Sequence, residues 1–227
     1  MKLLTGLFVL TAALATCFTG TAQAGPFFLQ AHGGWSFYNL DDVNDAIDRT
    51  NDEAGGSFLD HISSGLDVGL QAGYSLNSEL NLGLGYARLS GDSGFSQEGY
   101  LVEYDLPADL FEMFLDYLPA NDKKVRAGAG ATMGVVSSAA TVQAQDPMGD
   151  GFQYEFDGVG FLFSGYAIVD AAVASKWSVF GQAGFRHAII NELKVDGETV
   201  LNPDSLDDKL RFNYSGLFLR VGVQFRL

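Results

Sequence analysis

Strict alternation of apolar and polar side chains is the feature that most constrains what this chain can fold into. It is clearest in residues 217–227, LFLRVGVQFRL, where every odd position is apolar and the even positions include Arg220, Gln224 and Arg226. Successive side chains of a β-strand point to opposite faces, so this segment predicts a strand with one apolar and one polar face. Its length, about ten residues, is what a tilted strand needs to cross a bilayer.

Seven earlier segments repeat this pattern. They are residues 27–38, 65–76, 79–90, 100–118, 124–143, 153–174 and 177–190. The connections alternate in length: 77–78, 119–123 and 175–176 are short, and 39–64, 91–99, 144–152 and 191–209 are longer. Short turns on one side and long loops on the other are typical of bacterial outer-membrane barrels. The sequence therefore predicts an all-β fold, an eight-stranded antiparallel up-and-down transmembrane β-barrel with both termini in the periplasm.

The first residues predict a secretory signal peptide. Lys2 precedes a short apolar run, residues 3–15, and Ala22-Gln23-Ala24 fits a cleavage site. Residues 1–24 are accordingly assigned to the signal peptide and residues 25–227 to the outer-membrane barrel. Cys17 leaves a second interpretation, a lipoprotein acylated at this cysteine, although the later cleavage site fits better. The apolar run is too short for a membrane-spanning helix.

Aromatic residues are predicted at both rims of the barrel's outer face. With odd strands running outward, the periplasmic rim would collect Phe27, Tyr74, Tyr117, Trp177 and Phe225, and the outer rim Trp35, Phe37, Tyr86, Phe161, Phe185 and Tyr214. Two aromatic girdles mark the interfaces of a membrane barrel with its bilayer. The predicted partners of this surface are outer-membrane lipid and lipopolysaccharide.

The charge of the chain excludes several other classes of protein. The formal net charge is −15, and removal of residues 1–24 takes away Lys2 and no acid, which makes it −16. A nucleic-acid-binding protein needs a basic face. A peripheral protein held to anionic lipid needs clustered lysines and arginines. We therefore expect neither activity.

Three segments carry a resemblance to a known family: the opening FFLQAHGGWSF, the VRAGAGATMG strand after a short turn, and the closing LFLRVGVQFRL. With these motifs the chain resembles the outer-membrane β-barrel domain family of porin-like proteins, which includes the opacity-type and OmpA-type small barrels. The resemblance implies an outer-membrane location, insertion by the barrel-assembly machinery and a structural or surface-interaction role. It brings no catalytic residues. Many members end on Phe, whereas this chain ends on Leu227, so its terminal assembly signal departs from the pattern.

The inward phase of the predicted strands carries balanced charges. Eight such residues are predicted to form a lumen charge network: Asp67, Glu112, Asp116, Arg126, Asp170, Arg186, Arg220 and Arg226. An eight-stranded barrel is only wide enough for side chains to fill it. Since an isolated buried ion is very costly, these charges should pair and plug the barrel. The alternative is a gated narrow pore whose arginines select anions.

The first long loop is strongly acidic. Residues 39–64 contain seven acids and one base, Arg49. Asp41, Asp45, Asp48 and Asp52 would line one face of a short helix, and Leu40, Val43 and Ile47 would group on another. A calcium site is the alternative interpretation, but the D-x-[DN]-x-[DN]-G spacing is absent. Ligands must also converge on one ion rather than line a helix. We therefore predict a solvated loop and no metal or cofactor.

One short motif suggests chemistry. His61-Ile62-Ser63 resembles the H-x-S element of barrel lipid A deacylases. It stands at the end of the first loop rather than on a late strand, and the sequence places no acid to orient the histidine. We therefore assign no catalytic residue.

Three hypotheses of function remain, in decreasing order of support. The first is a non-enzymatic outer-membrane barrel with a structural or surface-interaction role and a plugged lumen, whose surface ligand the sequence does not identify. The second is a small porin for solutes, and the third a lipid A-modifying enzyme. A soluble lipocalin-like barrel is the alternative fold.

Overall fold

The computed structural model of the chain describes residues 27–97, 100–119, 124–146, 148–202 and 205–227. The predicted signal peptide, including Cys17, lies outside these residues. The boundary between signal peptide and barrel therefore stays a prediction. Within the described part of the chain, no helix has the length and apolar character needed to span a membrane.

The described elements are fifteen strands and one helix. In chain order they are β1 (Phe27–Phe37), α1 (Asp41–Ala54), β2 (Ser64–Ser75), β3 (Leu80–Leu89), β4 (Asp92–Gln97), β5 (Tyr100–Asp105), β6 (Ala108–Tyr117), β7 (Val125–Gln145), β8 (Gly151–Ala172), β9 (Trp177–Ile190), β10 (Leu193–Val195), β11 (Glu198–Thr199), β12 (Leu201–Asn202), β13 (Ser205–Lys209), β14 (Phe212–Asn213) and β15 (Gly216–Arg226).

Eight of these strands close into a ring. The order around it is β1, β2, β3, β6, β7, β8, β9 and β15, all neighbours are antiparallel, and β15 pairs with β1 from Phe28↔Arg226 to Ser36↔Phe218. Closure leaves none of the eight with an unpaired edge along the ring, which is what lipid requires of a spanning sheet. The predicted eight-stranded antiparallel barrel is confirmed.

The fourth predicted strand differs from the expectation. Residues 100–118 are two strands, β5 and β6, separated by Leu106-Pro107. Proline lacks a backbone N–H and cannot donate to the ladder, so the strand breaks there. Above the break, β5 pairs with β4 on one side and with β7 on the other.

The predicted strands at 124–143 and 153–174 are confirmed as β7 (Val125–Gln145) and β8 (Gly151–Ala172), each of which extends two residues into the predicted loop at 144–152. β7 and β8 stay paired up to Gln145↔Gly151, well beyond the ring, because the alternation of apolar and polar residues continues there. In the fourth long loop, a hairpin turn at Asp196-Gly197 joins β10 to β11, and both residues have positive φ, 52° and 87°. This is the left-handed backbone that favours Asp-Gly in tight hairpins.

Candidate functional site in the barrel lumen

The outer face of the ring is apolar and exposed. Aliphatic side chains of the outward phase form its middle, among them Leu70, Val169, Leu219 and Val221. Nine of the predicted girdle residues face outward at its two ends: Phe27, Trp35, Phe37, Tyr86, Tyr117, Phe161, Trp177, Phe185 and Phe225. The rings of Trp177 and Phe225 pack together, with 4.8 Å between their centroids. Tyr74 stacks edge-on against Phe27 at 5.0 Å.

Tyr214 corrects the girdle prediction. Its side chain is fully buried and points into the outer mouth of the barrel, where its hydroxyl contacts Ser138 Oγ and donates to the carbonyl of Leu106, both at 3.2 Å. Tyr214 lies at an even position, in phase with the inward-facing Phe218 and Arg220. Strict alternation along residues 214–220 therefore places Tyr214 on the inward face. The short break between β14 and β15 does not change this alternation.

The centre of the lumen holds an ion network around Asp67. Arg186 Nη1 and Arg220 Nε both contact Asp67 Oδ2, at 3.3 and 3.0 Å, and Arg220 Nη1 reaches Glu112 Oε1 at 3.3 Å. Ser36 donates to the same oxygen of Asp67 at 2.9 Å. Each of these side chains is almost completely buried. Two cations and two anions therefore neutralise each other in a space without bulk water.

Polar and aromatic side chains extend this network. His32 Nε2 lies 3.5 Å from Asp67 Oδ1, and Gln71 donates to Glu112 at 3.0 Å. Arg220 also stacks on Phe218, with 4.8 Å between its guanidinium carbon and the ring centroid. This contact supplies a further partner for a buried cation.

The remaining predicted lumen charges lie closer to the short turns. Asp116 accepts a hydrogen bond of 2.7 Å from the hydroxyl of Tyr166. Arg126 Nη2 pairs with Asp170 Oδ2 at 2.7 Å. Arg226 is half-buried at the rim of the barrel. The eight predicted residues thus form a central group, a tyrosine-bound carboxyl and a group at the short-turn mouth rather than one continuous network.

The outer mouth is closed by helix α1. Leu40, Val43 and Ile47 point downward into an apolar cluster that includes Leu89 and Leu110 from the barrel wall. The acidic residues of the helix lie on the opposite, more exposed side. The helix predicted within the first loop therefore exists, and its apolar stripe is the lid of the lumen.

Two asparagines fasten α1 to the chain that returns from it. The side chain of Asn44 accepts a hydrogen bond from the backbone amide of Ile62 at 2.8 Å and donates one to the carbonyl of Ile62 at 3.3 Å. Asn51 does the same with Leu59, at 2.9 Å in both directions. Side-chain amides here replace a backbone ladder, because helix and return segment cannot pair through their backbones. The helix and its return segment are thus held together as one unit.

Tyr38 joins the lid to the barrel wall. It lies just past the end of β1, donates to the carbonyl of Ser90 at 2.8 Å and packs edge-on against Tyr214 at 5.7 Å. Burial raises the pKa of both tyrosines, so their hydroxyls stay protonated and remain donors.

His61 has an acid partner that the sequence did not reveal. Its Nε2 lies 2.8 Å from Asp48 Oδ1, a residue of α1 thirteen positions earlier, and about half of each side chain is exposed. The prediction that no acid orients His61 is wrong, because the helix folds back over the return segment. Among the described residues, no group of three or more His, Cys, Asp or Glu side chains is arranged to hold a metal ion.

An aromatic row leads from the mouth to the exposed hairpin of β7 and β8. The rings follow one another from Tyr214 to Phe212, Phe156, Tyr154 and Phe152, at centroid distances of 5.2 to 6.5 Å. Phe152 and Tyr154 are about half exposed. The hairpin therefore presents aromatic side chains to solvent on the face that continues the lumen.

Ser36 and Tyr166 are the lumen residues that sequence reasoning missed. Both stand on the inward phase of their strands, which is the signal that could have identified them. The candidates were selected by charge alone, whereas the hydroxyls of Ser36 and Tyr166 donate hydrogen bonds to Asp67 and Asp116. Buried carboxylates need such donors as much as they need counter-ions.

Comparison with known proteins shows similarity of fold only. No protein-family model matches the sequence, and no curated protein matches it. The structural neighbours include small outer-membrane β-barrel proteins. Neisserial surface protein A is 16% identical, with 88% of this chain and 97% of that chain covered at a TM-score of 0.47. Ail, the attachment invasion locus protein of Yersinia pestis, solved with the heparin analogue sucrose octasulfate, is 9% identical, with coverage of 89% and 99% at 0.49. OprG from Pseudomonas aeruginosa is 12% identical, with coverage of 90% and 97% at 0.48.

Proposed function

We propose that the protein is a non-enzymatic outer-membrane barrel with a filled lumen, whose work is done by the surface beyond the long loops. The short turns and both termini face the periplasm, and the lid, the β7–β8 hairpin and the fourth loop face the outside. Two features support the location: the apolar outer face of the ring and the aromatic residues at both of its ends.

The observation that carries the proposal is the filling of the lumen. Phe28, Phe114 and Phe180 are buried on the short-turn side, the network of Asp67, Arg186 and Arg220 occupies the centre, and the lid of α1 closes the outer mouth. A conducting barrel needs a continuous polar path, and the apolar layers at both ends interrupt it. The charges at the centre then stabilise the plug rather than select ions.

The surface beyond the long loops has the character of a contact surface. β7 and β8 extend past the ring as a paired hairpin, and β4–β5 and β10–β11 widen it on either side. Exposed Phe152 and Tyr154 lie on one face, and Glu155 and Asp157 alternate with them on the other. A rigid sheet with half-exposed aromatic side chains suits recognition of another molecule better than a loose loop does.

Single-channel recording in planar bilayers tests the filled lumen. The wild-type protein should give no steady conductance step. A variant with serine at Asp67, Glu112, Arg186, Arg220, Phe28, Phe114 and Phe180, combined with Ile47→Asp in the lid, should give steps. It removes the centre of the plug together with both apolar layers. A reproducible step from the wild-type protein would contradict the proposal and favour the small porin.

Two cell-based measurements complete the test. Membrane fractionation should place the protein in the outer membrane, and its gel mobility should change on heating, as expected of a folded barrel and not of a soluble lipocalin-like protein. The lipid A profile should be identical with and without the protein. A changed profile that is lost in His61→Ala would support the enzyme hypothesis instead.

A further inference from the structure

A cleft of about 90 Å³ lies inside the barrel mouth at the end with the short turns. Its charged lining residues are Lys124, Arg126, Asp170, Lys176 and Arg226, and Ser175 and Ser178 add hydroxyl groups. It lies at the opposite end of the barrel from the lid, and neither the plug nor the outer surface accounts for it.

The strand register brings these residues together. Arg126 pairs with Asp170 across β7 and β8, and Ala172 pairs with Ser178 across β8 and β9. The amide of Arg226 in β15 donates to the carbonyl of Lys176 at 2.8 Å. Strands β7, β8, β9 and β15 therefore supply Arg126, Asp170, Ser178 and Arg226 to one concave surface, and Lys124 and Lys176 join them from the short turns. The sheet fixes the positions of the strand residues, whereas the two lysines extend from the turns beside them.

The cleft carries an excess of positive charge. Four of its described lining residues are cations, and Asp170 is the one acid among them. The pair between Arg126 and Asp170, at 2.7 Å, neutralises one cation and leaves Lys124, Lys176 and Arg226 to act on whatever occupies the opening. A concave surface with low-dielectric walls concentrates this potential and attracts anions.

Two buried polar atoms mark where a ligand would bind. Ser178 Oγ is inaccessible to solvent and has no hydrogen-bond partner among the described residues, and the same holds for Asp170 Oδ1. Buried polar atoms are nearly always satisfied in folded proteins. One free donor and one free acceptor beside three cations match an oxyanion that also carries a hydroxyl or ammonium group.

We propose that this cleft binds a phosphate group, either that of a membrane phospholipid headgroup or free inorganic phosphate. Lysine and arginine bind phosphate oxygens through charge-assisted hydrogen bonds, and the hydroxyl of Ser178 adds a neutral donor. Asp170 Oδ1 accepts from the hydroxyl or ammonium group of the ligand. Trp177, half exposed in the aromatic girdle, stands at the edge of the cleft, so a headgroup at the bilayer interface can reach it.

The test uses the refolded full barrel in octyl glucoside, a detergent without phosphate. Inorganic phosphate is titrated in one arm and short-chain dihexanoyl phosphatidylglycerol in the other. Binding is followed by calorimetry and by the fluorescence of Trp177 in a Trp35→Phe background. The test variant is Lys124→Gln/Arg226→Gln, which keeps the pair between Arg126 and Asp170. The control variant, Lys194→Gln/Arg211→Gln, removes the same charge from the chain between β9 and β15, at the opposite end of the barrel.

Saturable binding in either arm supports the site, and the arm in which it occurs identifies the source of the phosphate. The test variant should weaken binding at least about tenfold, since it removes two charge-assisted contacts, and the control should leave it unchanged. Ser178→Ala should weaken binding by a smaller factor at constant charge. Asp170→Asn should strengthen it, because the cleft loses its one lining acid.

The proposal is overturned if neither probe binds saturably. It is also overturned if both double variants weaken binding equally, because the effect would then reflect net charge and not the cleft. Gel mobility before and after heating verifies that each variant is folded, so a misfolded variant is not counted as a result. Single substitutions Lys124→Gln and Arg226→Gln replace the double variant if that one fails to fold.

Discussion

Arg220 and Asp67 form an ion pair across the lumen, with 3.0 Å between Nε and Oδ2, although 153 positions separate them in the chain. Their strands, β15 and β2, are not neighbours but lie on either side of β1. The pair therefore exists only because the ring is closed. It couples the first and last parts of the barrel through a side-chain contact that no local pairing could provide.

Loss of Asp67 should destabilise the barrel far more than loss of an exposed carboxylate. Asp67→Asn leaves the buried Arg186 and Arg220 with only Glu112 as a counter-ion, and breaking a buried pair costs about 3–5 kcal/mol. Asp109→Asn is the matched control, because its pair with Arg88 at 3.2 Å is partly exposed. That change should cost less than about 1 kcal/mol. Urea unfolding followed by tryptophan fluorescence measures both, and equal losses would contradict the central role of Asp67.

Replacement by alanine should destabilise the barrel at Gly34 but not at the adjacent Gly33. A Cβ added at Gly34 would overlap the carbonyl oxygen of Leu219 in the paired strand, whereas one added at Gly33 meets nothing within 4 Å. Gly34→Ala should lower the free energy of unfolding by about 1–3 kcal/mol, as overpacking does. Gly33→Ala should change it by less than about 0.5 kcal/mol. The fraction of heat-modifiable protein after refolding gives a second readout, and a neutral Gly34→Ala would refute the close approach of β1 and β15.

Helix α1 should be released by a charge on its buried face. Ile47 is fully buried, and Ile47→Asp places an unpaired carboxylate in the apolar cluster. Because Arg49 lies in the same helix, trypsin added to intact cells should then cut the chain at this position several-fold faster. Asp45→Ala, on the exposed side, should leave the rate unchanged. A rate for Ile47→Asp equal to that of the wild type would mean that α1 does not close the mouth.

Loss of the hydroxyl should reduce stability more at Tyr214, which is buried in the mouth, than at Tyr117, which lies in the girdle. Tyr214→Phe removes the hydroxyl that contacts Ser138 and Leu106 inside the mouth, so the free energy of unfolding should fall by about 1 kcal/mol. Tyr117 is half exposed at the short-turn rim, and Tyr117→Phe should be nearly neutral. Chemical denaturation of the two variants under identical conditions compares them. An unchanged free energy of unfolding for Tyr214→Phe would contradict the buried position of this hydroxyl and favour the original assignment of Tyr214 to the girdle.

Most of the barrel could be predicted because its signal is local. Alternation with a period of two directly reports which side chains face lipid, and the lengths of the connections report which end is which. The break in the fourth strand was missed because the prediction read apolar alternation and gave no weight to Pro107. Alternation also predicts the paired region of β7 and β8 beyond the ring, as strands at 124–143 and 153–174, although it does not state where the bilayer ends.

The lumen could be predicted only as a set of inward-facing charges. Alternation predicts that Asp67, Glu112 and Arg220 point inward. It does not predict the distances between these side chains, because those depend on how the strands are shifted relative to one another around the ring. The same sequence information could not distinguish Asp116, which contacts Tyr166, from the carboxylates that contact arginines. It also could not bring Asp48 to His61, because that contact requires α1 to fold back over its return segment.

The sequence by itself determined the number of strands, the face that each side chain takes and the presence of a short amphipathic helix in the first loop. These features follow from periodicity, which is a property of consecutive residues. Only the tertiary structure decided that the helix closes the mouth, that Asp67 serves two arginines and that four cations line a cleft at the opposite end. Those contacts join strands distant in sequence, and their geometry is set by closure of the ring.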